Sequence, residues 1–304
     1  MNLKDRHNNR GGSKAEMFTL FKVYESGVLL DFIMKKMSGI SKTSAKQIVS
    51  GHRVYVDNAL VSRPDFVLAP GQVVKVFKHK ARTSFSNRFL KMVYEDSDII
   101  VVEKAAGLLT IATAKEKIKT AYSYLNEYVK EKNRGGNIYI VHRLDRDTSG
   151  LLVFAKNEYA KRRLQDCWKN IVTERKYVAV LCGEVEKDKD TVVSNLVENK
   201  AFMTYSVHTG SDEGRAVTHY RVIKRKNGYS LVELELETGK KNQIRVHMHD
   251  IGHPVAGDNK YGNGDDPIGR LALHAFRLCF YHPVSGELLK FETPYPGAFK
   301  KMFF

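Results

Sequence analysis

The chain has 304 residues, and 50 Lys and Arg against 34 Asp and Glu give it a formal net charge of +16. Its 42% hydrophobic content is enough to bury a sizeable core, which excludes a wholly disordered chain. The excess of positive charge favours a protein that binds a polyanion, nucleic acid above all. The alternative is a basic protein whose charge serves only to keep it soluble.

Cysteine usage and hydropathy exclude several further classes. Cys167, Cys182 and Cys279 stand far apart, so the chain has neither a Cys-x-x-Cys metal knuckle nor an even-numbered disulfide framework. No apolar run approaches the about eighteen residues that span a bilayer, and MNLKDRHNNRGGSKAEM lacks the apolar core of a signal peptide. We expect a reduced, cytoplasmic protein that begins with a disordered basic tail over residues 1–20.

Residues 21–80 have the pattern of a small basic domain. VLLDFIMKKM predicts an amphipathic helix, and SKTSAKQIVSG predicts a second helix with Ser41 as N-cap and Gly51 beyond its end. HRVYVDNALV alternates around Asp57-Asn58, which predicts a hairpin turn, and QVVKVFKHK alternates again. We therefore expect an ααβ-type unit here. Residues 81–90 are polar and without a period, which predicts a linker.

Residues 91–304 have the pattern of a larger, sheet-dominated α+β domain. Helices are predicted at TAYSYLNEYVKEK, EYAKRRLQDCWKN and NQIRVHMHDIG. Strands are predicted at DIIVVEK, IYIVH, LLVFAK, KYVAVLCG, VTHYRVIKR, YSLVELELE, LALHAFRLCF and ELLKFETP.

The stretch VHRLDRDTSGLL places four charged residues beside a segment that looks buried. Asp145 and Asp147 lie among Arg143 and Arg146, and the following residues are apolar. Buried charges are costly unless they are paired, so these side chains must form a network. A salt-bridged turn that caps a strand is commoner than a catalytic site, and this segment alone does not decide between them.

Other segments do bear on that choice. Together with RKYVAVLCG and GKKNQIRVHMHDIGHPVAGDNKYG, the stretch VHRLDRDTSGLLVFAKN resembles the RluA-type RNA pseudouridine synthases. IVVEKAAGLLT, GRAVTHYRV and RLALHAFRLCFYHP extend the resemblance over nearly all of the chain after residue 90. It implies a mixed, mainly antiparallel sheet and an isomerase that turns uridine into pseudouridine. This reaction gains and loses no atoms, so neither a metal nor another cofactor is expected.

The resemblance also implies roles for single residues. Asp145 matches the catalytic aspartate, Tyr177 the tyrosine that stacks on the target base, and Arg245 the arginine that pairs with the catalytic carboxylate. The same motif implies contacts with the flipped nucleotide from His142, Arg143 and Leu144. Asp145 has to be ionised, and its ordinary pKa of about 3.9 would rise on burial and fall beside a guanidinium. Attack on the base ring, attack on the anomeric carbon and removal of a sugar proton all remain open.

The basic unit before residue 80 resembles the S-four-type RNA-binding domain. That resemblance makes Lys42, Lys46 and Arg53 the expected phosphate ligands, against the alternative of a merely solvated basic face. Two departures concern the larger domain. The family usually has K-P-x-G where this chain has KAAG at 104–107, which we expect to loosen a strand-exit turn. It usually has T-H where this chain has KN at 241–242, which we expect to alter substrate preference.

Two alternatives are weighed against this interpretation. His247, His249 and His253 look like a metal cluster, but residues 247 and 249 lie on different faces of a helix, so no metal is expected. A non-catalytic RNA-binding factor of ribosome assembly could retain the same fold, and a synthase could act on transfer RNA. We expect a monomeric enzyme that acts on large-subunit ribosomal RNA.

Overall fold

The structure, a computed structural model, describes residues 18–37, 39–51, 53–57, 59–77, 85–207 and 213–304. The chain divides into two compact units, Met1–Ser84 and Phe85–Phe304. In the described ranges no helix is both long and apolar enough to cross a bilayer. Most of the predicted tail lies outside the described residues.

The amino-terminal unit combines two helices with short antiparallel strands. Its four-stranded sheet has the order β1-β6-β3-β4, and β2 pairs with β5. Its elements are β1 (Phe18–Lys22), β2 (Gly27–Val28), α1 (Leu29–Lys36), α2 (Lys42–Ser50), β3 (Val54–Val56), β4 (Ala59–Leu60), β5 (Val67–Leu68) and β6 (Val73–Phe77).

Local sequence explains the two helices of this unit. The Ser41 hydroxyl accepts a hydrogen bond from Ser44 N at 3.1 Å, and α2 ends at Gly51, as predicted. Leu29 and Ile33 of α1 pack with Val49 of α2 in the unit's own core. These apolar residues recur at helical spacing, which is why the pattern could be read from the sequence.

The predicted tail is wrong at its end, because β1 begins at Phe18. Phe18 pairs with Phe77 and Lys22 with Val73 in an antiparallel ladder between β1 and β6. The segment FTLFK is rich in residues that suit strands, and its pairing with β6 overrides the polar character of the residues before it. The turn at Asp57 joins β3 to β4 with a φ of 48°, but Asn58 lies outside the described residues.

The second unit is built on an eleven-stranded sheet. Nine strands follow the order β13-β12-β14-β15-β11-β16-β10-β8-β7, with β17 beside β16 and β9 beside β10. Its elements are β7 (Leu90–Glu95), β8 (Ile99–Lys104), α3 (Ala121–Lys132), β9 (Tyr139–Ile140), β10 (Ser149–Ala155), α4 (Glu158–Asp166), α5 (Trp168–Ile171), β11 (Val172–Cys182), β12 (Lys189–Glu198), β13 (Thr204–Val207), β14 (Arg215–Lys226), β15 (Tyr229–Leu236), α6 (Gln243–Asp250), β16 (Leu273–Tyr281), β17 (Leu288–Glu292) and α7 (Gly297–Phe303).

The predicted fold class is confirmed. The unit is α+β, and within its sheet β10 and β16 pair in parallel while the other described pairs are antiparallel. The strands β7, β12 and β13 and the helix α7 were not predicted. The predicted helix EYAKRRLQDCWKN is divided into α4 and α5 at Cys167.

The predicted linker is wrong over residues 85–90, which fold with the second unit. The Phe85 ring meets the Tyr128 ring edge-on, with 5.0 Å between the centroids. Leu90 is only 2% exposed and begins β7. The serines and arginines around these apolar residues make the segment polar on average, which is why its composition predicts a linker. The hydrophobic effect nevertheless buries the apolar side chains.

Strand β10 is the element that positions the site. All seven of its residues are buried, with Leu152 and Phe154 in one core cluster and Leu151 and Val153 in another. Gly150 has a φ of 121°, and a Cβ atom there would lie 2.2 Å from Ala275 O. Only glycine allows this close parallel approach of β16, which holds the residues just before β10 in place.

Candidate active site

Asp145 lies on a turn, residues 141–148, whose backbone is held on both sides. Thr110 Oγ1 accepts a hydrogen bond from Leu144 N at 3.2 Å and donates one to Leu144 O at 2.7 Å. Thr148 N donates to Asp145 O at 3.2 Å. The Asp145 carboxylate therefore extends from a backbone with little freedom to move.

A buried lysine fastens the same turn to the end of β8. The Lys104 side chain is 0% exposed, and its Nζ donates to the carbonyls of Ala105 at 3.0 Å, Leu108 at 2.7 Å and Arg146 at 3.0 Å. Burial lowers the pKa of Lys104 to about 7, while two nearby carboxylates, one of them Asp145, oppose that change. Three acceptors match the three N–H groups of the ammonium form. Sequence analysis did not identify this role for Lys104.

Burial and nearby cations act in opposite directions on Asp145. Burial raises the pKa of the Asp145 carboxyl, and this effect is larger than the opposing effect of the cations. The positive charges that lower the pKa are Arg245, Arg143, Lys104 and Lys241. The structure thus brings Asp145 and Arg245 together, although they lie one hundred positions apart in the sequence.

Arg245 is predicted to pair with Asp145, and its described hydrogen bonds go to other residues. Arg245 Nε donates to Asp258 Oδ2 at 2.7 Å and its Nη2 to Asp258 Oδ1 at 2.6 Å, while Nη1 donates to Asn242 Oδ1 at 3.1 Å. The guanidinium acts on Asp145 only through space. Asp258 is fully buried and also accepts from the backbone N–H of Lys260 and Tyr261. Asp258 is the aspartate of the GDNKYG motif, and the sequence alone did not predict a role for it.

Tyr177 lies beside the same carboxylate. It follows a bulge in β11, where the pairing with β16 shifts between Lys176 and Tyr177. The side chain is half-buried and packs against two core clusters. Burial raises the pKa of Tyr177, and the charge of Asp145 adds to that rise. Asp145 thus interacts electrostatically with both Tyr177 and Arg245.

His142 and Leu144, which are predicted to contact the substrate, are both engaged within the protein. Leu144 is 4% exposed and packs in the core. His142 Nε2 accepts a hydrogen bond from Val153 N at 3.0 Å, and its ring packs on Trp168 with 4.8 Å between centroids. Burial lowers the pKa of His142 to about 3, so this ring is a neutral structural group. The hydrophobic environment of the turn decides both roles.

Arg143 differs from these two neighbours. Its side chain is exposed and has no hydrogen bond or ion pair with another residue of the described ranges. A guanidinium without a protein partner is available to a phosphate or a base. Next along the turn, Arg146 pairs with Asp147 at 3.2 Å in a largely exposed ion pair.

A cavity of about 700 Å³ adjoins the turn, and we call it the basic cavity. This volume lies in the about 300–1,000 Å³ range of ligand pockets. Its lining includes the charged residues Arg146, Asp147, Arg245, Lys260 and Arg270. Four cations against one carboxylate suit an anionic ligand.

Two of the three histidines that resemble a metal cluster, His247 and His253, make hydrogen bonds that serve the fold. His247 is fully buried, with Nε2 3.0 Å from Ser194 Oγ and Nδ1 2.8 Å from Thr218 Oγ1. Neither ring nitrogen is left for a metal. His253 Nδ1 donates to Cys182 O at 3.0 Å.

Another acidic group in the described chain could hold a cation by distance alone: Asp96, Asp98 and His282. His282 Nδ1 accepts from Val284 N at 3.3 Å and Ser285 N at 3.0 Å, which places the proton of the neutral ring on Nε2. That nitrogen lies 3.0 Å from Asp96 Oδ2 in a poorly aligned contact. A protonated Nε2 has no lone pair to give to a metal.

The expected phosphate ligands lie in the amino-terminal unit. Lys42 and Lys46 are exposed on α2. Arg53 Nε donates to Phe77 O at 2.9 Å, so this side chain also braces β6.

Comparisons with known proteins agree on one family. The sequence matches the model of the RNA pseudouridylate synthase family over residues 98–250. It is 35% identical to the Bacillus subtilis (strain 168) protein named uncharacterized RNA pseudouridine synthase YlyB, over 87% of this chain and 89% of the relative. It is 33% identical to ribosomal large subunit pseudouridine synthase D of Buchnera aphidicola subsp. Baizongia pistaciae, over 84% and 86% of the two chains.

A solved structure is similar as well. Human RNA Pseudouridylate Synthase Domain Containing 1 superimposes with a TM-score of 0.54 and 27% identity, over 69% of this chain and 84% of that chain.

Proposed function

This chain belongs to the RNA pseudouridylate synthase family, and from that premise we propose that it isomerises specific uridines of large-subunit ribosomal RNA, with Asp145 as the reacting carboxylate. The ribosomal target is supported by the relative named large subunit pseudouridine synthase D and by the chain's net charge of +16. The coarser prediction of an RNA pseudouridine synthase is confirmed by the family.

One observation carries the role of Asp145: its carboxylate is half-buried within the field of four cations, on a turn whose next residues, Arg146 and Asp147, line the basic cavity. Burial makes the anion more reactive by removing part of its hydration, and the cations oppose the rise in pKa that burial causes. In the reaction the N1–C1′ bond of uridine breaks and a C5–C1′ bond forms. The proton on C5 leaves and N1 takes up a proton, so the product is an isomer.

One aromatic ring binds the base of the substrate, and several cations bind its phosphates. A base in a helix is out of reach, so the target uridine is extruded and its ring stacks on Tyr177. Arg143 and the cations of the basic cavity hold the adjoining phosphates. The amino-terminal unit acts as the S-four-type RNA-binding domain, with Lys42, Lys46 and Arg53 on the RNA backbone.

Tritium release from RNA labelled at C5 of uridine tests this proposal, since isomerisation expels that hydrogen and binding alone does not. We expect Asp145→Asn to reduce release from large-subunit ribosomal RNA by at least about 10³-fold and to leave RNA affinity intact. Asp147→Asn, on the same turn, is the matched control and should show a far smaller loss. Release from transfer RNA alone would contradict the proposed substrate, and no release from any cellular RNA would indicate a non-catalytic RNA-binding protein.

A further inference from the structure

The loop between β12 and β13, residues 199–203, presents an aromatic ring to solvent. Phe202 is 71% exposed and has a φ of 57°. A bulky side chain rarely adopts this left-handed conformation, and such outliers concentrate at functional sites. The function proposed above does not use this residue.

Hydrogen bonds close this loop into a defined shape. Asn199 N donates to Met203 O, and Phe202 N donates to Asn199 O, both at 2.9 Å. Asn199 Oδ1 also accepts from Ala201 N at 2.9 Å and from Met203 N at 3.0 Å. The Phe202 ring is thus held out on an ordered loop, so a ligand that contacts it does not have to order the backbone first.

Two lysines connect Phe202 to the candidate active site. Lys260, which lines the basic cavity, donates from Nζ to Phe202 O at 2.8 Å. Lys241 Nζ lies 5.5 Å from the centroid of the Phe202 ring, and the charge of Lys241 also lowers the pKa of Asp145. The hydrogen bond to Lys260 therefore holds the Phe202 loop at the rim of the basic cavity.

The loop is also tied to the support of Arg245. Thr204 N donates to the Tyr261 hydroxyl at 3.1 Å, and Asn242 Nδ2 donates to the same hydroxyl at 3.1 Å. Arg245 lies over the Tyr261 ring at 5.1 Å. One set of contacts thus fixes the position of Phe202 relative to the site.

We propose that Phe202 is a stacking platform for the base of a nucleotide next to the target uridine, with Lys260 facing the adjoining phosphate and Lys241 held beside the ring by its ion pair with Glu198. This inference rests on the proposed function and adds a second aromatic contact to it. An exposed aromatic ring flanked by cations fits unpaired RNA, whose bases stack on such rings irrespective of sequence. Lys241 lies over the ring, and most of the remaining surface of Phe202 is open to a base.

Three substitutions of Phe202 test the platform. In tritium release from in vitro transcribed large-subunit ribosomal RNA, Phe202→Leu should raise the KM about tenfold because it loses stacking, and Phe202→Tyr should stay within about twofold of the parent. Phe202→Gly suits the positive φ and should show the same loss as leucine. The single-turnover rate at saturating RNA should be unchanged in all three.

Phe304→Leu is the matched control. Phe304 is 74% exposed and Lys224 Nζ lies 4.8 Å from its ring centroid, yet it does not line the basic cavity. This variant should keep the parent KM. An unchanged KM in Phe202→Leu, an equal rise in Phe304→Leu, or a loss confined to the saturating rate would each overturn the platform. If the parent protein releases no tritium from any RNA, the proposed function fails instead.

Discussion

At the scale of single residues, Asp145 is subject to two opposed effects that its sequence neighbours do not reveal. Burial disfavours its anionic form, while Arg245 and Arg143 favour that form. Asp258 holds Arg245 by two hydrogen bonds of 2.7 Å and 2.6 Å, so the largest opposing charge has a fixed position. The ionisation of one carboxylate thus depends on side chains from several elements.

Replacement of Arg143 should change the pH dependence of the reaction. Because burial raises the pKa of Asp145 and Arg143 lowers it, Arg143→Gln should raise that pKa further. The reacting form is the anion, so activity is lost as pH falls through the pKa, and the acidic limb should move to higher pH. Single-turnover tritium release at saturating RNA, measured from pH 4 to 8, checks this shift.

Arg146→Gln provides the control for this measurement. Arg146 is the next arginine on the same turn, but it pairs with Asp147 and is not among the four cations that act most strongly on Asp145. Its acidic limb should coincide with that of the parent. If the pH–rate profiles of both variants moved equally, the pKa of Asp145 would depend on the total positive charge of the turn and not on Arg143 in particular.

At the scale of elements, the 141–148 turn depends on the strands on either side of it. Strand β10 holds its end through the close parallel contact of Gly150 with β16. Lys104, the last residue of β8, binds the Arg146 carbonyl across the turn. Ala105 stands where the motif of the resemblance has proline, and the strand exit is nevertheless fastened, because Gly107 N also donates to Arg146 O at 2.9 Å.

Removal of the Lys104 ammonium should weaken this element. Lys104→Met keeps most of the volume but removes the donor to three carbonyls, of which only that of Arg146 keeps another donor, Gly107 N, so we expect the free energy of unfolding to fall by about 2–4 kcal/mol. Tritium release should fall as well, because the Asp145 turn loosens. Urea unfolding and single-turnover kinetics measure the two effects.

Lys91→Met is the comparison for that variant. Lys91 lies on the neighbouring strand β7, is 80% exposed at its side chain and reaches Glu103 only at 4.0 Å. A surface pair of this kind contributes little, so its change should stay within about 0.5 kcal/mol. A similar loss in both variants would argue against a specific role for the buried ammonium.

At the scale of the whole molecule, positive charge is present in both units. The amino-terminal unit has exposed lysines on α2, and the second unit has the basic cavity. Phosphate contacts release counterions, so binding by such a protein weakens steeply with salt. The contribution of each unit can therefore be measured separately from catalysis.

A double substitution on α2 measures the share of the amino-terminal unit. Lys42→Gln with Lys46→Gln should weaken RNA binding and make the plot of log affinity against log salt shallower by about 1.5, the value for two lost phosphate contacts. The single-turnover rate at saturating RNA should not change. Lys300→Gln with Lys301→Gln removes two exposed charges from α7 and should alter the slope less. Equal slopes for the two double variants would count against a specific RNA contact on α2.

The parts of the fold that could be predicted are those that depend on near neighbours. Ser41 and Gly51 mark the ends of α2, because capping involves residues only a few positions apart. Strand β10 was evident from LLVFAK, because a continuous apolar run is sufficient evidence of burial. Strand β12 was missed, since KDTVVSNLVE mixes charged and apolar residues and becomes a strand only between β13 and β14.

The sequence by itself determined which residues are the candidates for the site: the HRLD aspartate, the tyrosine of β11 and the arginine of α6 all come from recognisable motifs. Only the tertiary structure decided what each one contacts. In the folded chain Arg245 is hydrogen-bonded to Asp258, and the Leu144 side chain is buried in the core. The Lys104 ammonium binds the Arg146 carbonyl and so holds the turn. The physical reason is distance along the chain, because local patterns record helix and strand periodicity, whereas the field at a buried carboxylate comes from charges that only folding brings together.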